Sequence, residues 1–277
     1  MRRTLLALLA CAAPGGLAVA VACNDGGRVN LTITDATAEA AGDDAGDDGS
    51  PDAAEELAIA DQCGPSPWVT LGIFVVGLTL SDPDGSPLPG ASFTSPLCPG
   101  LVQYTDDAGL IQGQVSANVP FYGRLKAQNF ISELAPEELF DADSTGHKIE
   151  MLPTILEGIL LPTFDASAST AIVIAAQKLV DDAGPCSAFD GIAFSVPGHP
   201  EATVTYFTND TIPAPIANGT MTSVRGLAAV TGLAANQMVT LAGTKIGCTV
   251  VFQHDTLTGR VPLETGYVSL MAAYVGP

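Results

Sequence analysis

The chain has 277 residues, 47% of them hydrophobic and only 14% charged, which excludes a wholly disordered protein, since such chains are poor in apolar residues and rich in charge. Gly 29 and Pro 20 make about 18% of the residues and favour turns over long helices. Ten basic against thirty acidic residues give a net charge of −20, which opposes binding to nucleic acid and to anionic lipid.

Arg2 and Arg3 precede nineteen uncharged residues, Thr4 to Ala22, the order of a positive n-region and an apolar h-region. Pro14, Gly15 and Gly16 interrupt the run and disfavour a membrane-spanning helix. Ala20-Val21-Ala22-Cys23 resembles the lipobox of bacterial lipoproteins, which implies cleavage before Cys23 and its acylation. Leu8-Leu9-Ala10-Cys11 also fits, but cleavage there leaves only seven apolar residues, so residues 1–22 are read as the signal peptide. Asn24 after the cysteine implies, by resemblance to lipoprotein sorting, an outer-membrane location, on the periplasmic face or the cell surface. Acyl chains then hold the protein on a bilayer without spanning it.

Residues 23–61 form the next segment. Ten acids lie between Asp35 and Asp61, diluted by Ala and Gly, and the run is expected to stay solvated as a spacer. Loss of residues 1–22, with two arginines and no acid, takes the net charge from −20 to −22. A calcium loop needs ligands fixed by a defined turn, which this run lacks.

From Trp68 the chain becomes short β-type runs between turns: 69–80, 90–93, 101–104, 109–116 and 121–128. A helix is conceivable at Ser132–Phe140, where Glu133, Glu137 and Glu138 follow a capping serine. Further runs occupy 169–179, where alanines also allow a helix, then 190–196, 202–207, 219–224, 226–233, 237–243, 248–253 and 266–275. Such spacing predicts antiparallel sandwiches, one over 62–152 and a second, divergent one over 153–277. The spacing of Thr105, Gly109 and Leu110 repeats in Thr222, Gly226 and Leu227, so the two units read as copies of one module.

Asp82, Gly85, Pro87, Leu88, Gly90 and Ala91, then Thr105, Asp106 and Gly109, resemble the carboxypeptidase regulatory-like domain over roughly residues 70–130. That resemblance implies a transthyretin-like (prealbumin-like) β-sandwich fold and a non-catalytic accessory character. The second unit lacks the first of these elements and rests on the repeat. Fold does not fix function.

Besides Cys11 and Cys23, the cysteines are Cys63, Cys98, Cys186 and Cys248, and an exported chain with four thiols predicts two disulfides in one of three pairings. The two-module reading selects Cys63–Cys98 and Cys186–Cys248. No close cysteine pair suggests zinc.

The sequence has no H-E-x-x-H, G-x-S-x-G, S-x-x-K or phosphate-cradling glycine motif, so no catalytic residue, metal or cofactor is assigned. His199, between Pro-Gly and Pro, reads as a turn residue, and His254 as a surface partner of Asp255. Tyr206, Tyr267, His199 and His254 have the residue types of an intradiol-dioxygenase iron site without its spacing. Asp82 and Asp84 could hold calcium, but an Asx-type turn is the simpler reading. The expectation is a cell-envelope lipoprotein with a binding, adhesion or assembly role. The alternative is a carbohydrate-binding accessory lipoprotein, with Trp68 and the tyrosines as stacking residues, and an enzyme on this fold stands third. The partners expected are the membrane, through the lipid, and an envelope protein or polysaccharide.

Overall fold

A computed structural model describes the backbone of Ala18–Cys23 and Val29–Thr34, and residues 62–78, 85–180, 184–210 and 212–277. Cys11, the acidic run and the Asp82–Asp84 turn lie outside these residues. Ala18–Cys23 (β1) and Val29–Thr34 (β2) pair as an antiparallel hairpin, with Cys23 opposite Val29.

The fold is all-β, two consecutive β-sandwiches. The first contains Gln62–Cys63 (β3), Trp68–Gly77 (β4), Ser86–Pro87 (β5), Ser92–Thr94 (β6), Val102–Tyr104 (β7), Leu110–Ser116 (β8), Arg124–Lys126 (β9), Glu133–Leu134 (β10) and Ser144–Met151 (β11). A 3-10 turn, Thr154–Leu156, and one helical turn, Glu157–Leu160 (α1), then lead to the second sandwich. That contains Ala171–Lys178 (β12), Ala193–Ser195 (β13), Thr203–Tyr206 (β14), Leu227–Thr231 (β15), Gln237–Thr240 (β16), Ala242–Thr244 (β17), Thr249–Val251 (β18), Arg260–Leu263 (β19) and Val268–Gly276 (β20).

In the first sandwich one sheet runs β11-β4-β8-β3, with β5 on β4. The facing sheet runs β10-β9-β6-β7 and does not stop there. β10 also pairs with β20, so the order continues through β20, β12, β15 and β14 of the second sandwich. A two-residue strand thus splices two sandwiches into one sheet. The expected antiparallel ladders are joined by parallel ones: β11 with β4 and β3 with β8 in the first sandwich, β20 with β12 in the second, and β10 with β20 across the splice.

The predicted repeat is present, with a constant offset of 101 residues through its first half. Thr105 Oγ1 donates to the Leu88 carbonyl (2.5 Å) and accepts from the Ala91 amide (2.8 Å). Thr222 Oγ1 donates to Phe189 (2.6 Å) and accepts from Ile192 (2.9 Å). Leu88-x-Gly90-Ala91 therefore has its counterpart in Phe189-x-Gly191-Ile192, which the spelling hides. Phe93 and Phe194, two residues further on, are both buried. Gly109 (φ 74°) and Gly226 (φ 63°) occupy left-handed turns where a Cβ would strike the Val75 carbonyl or the Ala176 side chain.

Among the described residues, three apolar clusters hold the molecule. One lies inside each sandwich, around Val75, Phe93 and Leu125, and around Ile174, Phe194 and Val261. The third draws Ile131, Leu156, Leu160, Val173, Phe207 and Val268 from both sides of the splice. The disulfides are Cys63–Cys98 (Cα–Cα 5.4 Å) and Cys186–Cys248 (5.8 Å), one in each sandwich and not at equivalent positions of the repeat.

Several local expectations fail for identifiable reasons. Ser132–Phe140 is not a helix: Pro136 interrupts it, and Glu133 and Leu134 enter the sheet instead. The 169–179 run, by contrast, is the strand expected, and its alanines do not make it a helix because β12 lies between β15 and β20. Residues 219–224 form a turn region, held where Thr222 accepts and donates in the core. The strands at 144–151 and 260–263 are additions to those predicted.

Candidate functional site

Two features of the described residues go beyond packing. The first is found in the outer strands that end the first sandwich's sheets, β11 and the two-residue β3 in one and β7 in the other. β11 bears Lys148 and Glu150, joined at 3.0 Å, and a charged edge resists pairing with another chain. β7 bears none. Antiparallel pairing sets Phe93 opposite Gln103, and Thr105 bonds back to Ala91. Ladder alternation then turns the N–H and C=O groups of Val102 and Tyr104 outward. Both side chains are exposed, Tyr104 by 66% and Val102 by 49%, with Leu97 at 47% nearby. The eight residues 97–104 hold no charge. Behind this edge the core leaves a void of 20 Å³, bordered by Leu101 and Gln103.

The second feature is a polar seam around the splice. Glu137 takes both oxygens to Arg260 Nη1 (3.1 Å each) and accepts from Thr258 Oγ1 (2.9 Å). Glu138 joins the sandwiches, accepting from Thr256 Oγ1 at 2.5 Å and meeting His147 Nε2 at 2.7 Å. Arg124 Nε donates to Glu264 at 2.5 Å, which raises the guanidinium further, and Lys126 lies over the Tyr267 ring at 5.0 Å. Burial and the Glu264 carboxylate push the Tyr122 phenol up; burial, then Asp255 and Glu138, does the same for Tyr274. Glu137, Glu138 and Glu264 each have their own cation or hydroxyl, the pattern of a sealed joint.

The residues singled out in the sequence are dispersed. Tyr206 is buried and hydrogen-bonded to the Phe194 amide at 2.7 Å, and burial raises its phenol. His199 pairs with Glu201 at 2.9 Å beside an open depression of 440 Å³ bordered by Val196 and Val204. The Glu201 carboxyl is held low by its own backbone amide and by His199. His254 stands 3.5 Å from Asp255 and 4.5 Å from the Tyr274 ring centroid. Trp68 is half-exposed with its Nε1 donating to the Gly64 carbonyl. Among the described residues, no three His, Cys, Asp or Glu side chains converge as metal ligands. No described helix is long and apolar enough to cross a membrane. Neither the bare edge nor the seam was anticipated, and only the missing charge in 97–104 could have hinted at the edge.

No protein-family model and no curated protein matches the chain. Solved structures with some likeness include the shaft pilin SpaA of Lactobacillus rhamnosus GG, at 10% identity over 74% of this chain and 97% of that one, TM-score 0.23. The minor pilin GBS52 of Streptococcus agalactiae matches at 13% identity over 76% and 97%, TM-score 0.21. The Bacillus anthracis TIE protein matches at 10% over 75% of this chain and 34% of its own length, TM-score 0.23. At these TM-scores the likeness carries no argument about function.

Proposed function

We propose that this chain is an exported, lipid-anchored, non-catalytic module of the cell envelope that binds a protein partner through the β7 edge. The bare, uncharged edge with exposed Val102 and Tyr104 carries the reading, because unpaired strand groups beside apolar side chains suit an added peptide strand. Two disulfides agree with an oxidising compartment. Residues 62–152 and 153–277 are the two modules, and the sheet that ends in this edge continues into the second of them. The test compares wild type with Val102→Lys/Tyr104→Lys in capture from an envelope extract, scoring proteins and polysaccharide together. A stoichiometric protein whose recovery falls at least tenfold in the variant supports the reading. Polysaccharide retained equally by both proteins transfers it to carbohydrate binding.

Anchoring is tested separately by metabolic labelling with a fatty acid. Cys23→Ala abolishes incorporation and releases the protein from the membrane fraction, whereas Cys11→Ala leaves both unchanged. The reverse pattern moves the lipid to Cys11.

A further inference from the structure

The splice strand β10 consists of Glu133 and Leu134, and Glu133 is a carboxylic acid with 1% of its surface exposed. It sits in register between Leu125 of β9 and Val268 of β20, both fully buried. Its Oε1 accepts the Leu152 amide at 2.6 Å, at the start of the segment that crosses to the second sandwich. Oε2 is buried and has no partner. Pleating sends Arg124 and Lys126, the neighbours of Leu125, to the opposite face, where they meet Glu264 and Tyr267. β20 offers Val268, without charge. From β11 the charge that reaches Glu133 is the Glu150 carboxylate, of like sign, and in the crossing segment Glu157 is a further, partly exposed acid.

An isolated carboxylate in such a place is far costlier than the neutral acid. Burial, reinforced by Glu150 and opposed by the Leu152 amide, raises its titration well above the ordinary carboxyl range. We propose that Glu133 is a proton-dependent latch: as the neutral acid it keeps β10 between the sandwiches, and as the carboxylate it leaves for water and uncouples them. The Leu152 amide loses its acceptor and the β10–β20 pairing opens. The sign follows from linkage. Folded protein keeps this proton where the unfolded chain has lost it, so above the ordinary carboxyl value stability falls as pH rises, until the raised value is passed.

The experiment follows the Glu133 side-chain carbonyl carbon by NMR across pH in the full exported chain, with hydrogen-exchange protection at the Leu152 and Val268 amides. The expected result is a Glu133 titration above those of the other carboxyls. Protection at both amides falls by about tenfold per pH unit between the ordinary carboxyl value and that titration and levels off beyond it, while Glu133→Gln shows no such fall. Titration of Glu133 among the ordinary carboxyls overturns the latch, and so does protection lost in Glu133→Gln along the wild-type course. The carbon titration needs no variant and decides the matter if Glu133→Gln does not fold.

Discussion

Replacing Cys186 and Cys248 together by alanine lowers stability by about 4 kcal/mol, the loop-closure value for a separation of 62 residues. Removing Cys63 and Cys98, separated by 35, costs about half a kcal/mol less. Folded-state contacts support assigning the first effect to the unfolded chain. Lys245 Nζ donates to the carbonyls of Ala188 and Asp190, so the hairpin bearing Cys248 stays fastened to the segment bearing Cys186 after the sulfurs are gone. Urea unfolding extrapolated to water, with the slope fitted for each variant, measures both losses. A loss below 1 kcal/mol for the longer loop would contradict the assignment.

Thr105→Val and Thr222→Val each destabilise by about 2–3 kcal/mol. Valine keeps the shape and removes the hydroxyl, leaving a buried amide, Ala91 in one case and Ile192 in the other, without its acceptor. Each also strips a carbonyl, Leu88 or Phe189, of its donor. Serine at either position retains both bonds and costs about 1 kcal/mol, mainly for the lost methyl. Because the hydroxyls do the same work 117 positions apart, the two valine variants should agree within the error of thermal or urea unfolding. A large effect at Thr105 with none at Thr222 would show that the second copy has another support.

Much of the sandwich architecture was legible because its signals are local. The apolar run of β4 and the alternation Thr203-Val204-Thr205-Tyr206 of β14 mark strands with fixed faces, and Gly109 and Gly226 mark turns that other residues strain to adopt. The equivalence of Leu88-x-Gly90-Ala91 with Phe189-x-Gly191-Ile192 was hidden, since what is retained is backbone geometry around a threonine, which tolerates different apolar side chains. Glu133 misled for a related reason. Acidic residues are seldom fully buried, so three glutamates after a serine read as a capped helix rather than as the joint between two cores. The bare edge at β7 left only the missing charge in 97–104 as a hint, because lacking a neighbour is a property of sheet order rather than of a window of residues.

The third apolar cluster bears on how the protein can be divided. Ile131 comes from one half, Phe207 and Val268 from the other, and Leu156 and Leu160 from the crossing between them. Cutting the chain at the crossing would expose faces on both fragments that the intact protein keeps dry. With β10 in place the halves should melt in one cooperative transition, and fragments made separately should be prone to aggregate even though each carries its own disulfide. A duplicated module has, in this molecule, ceased to be separable.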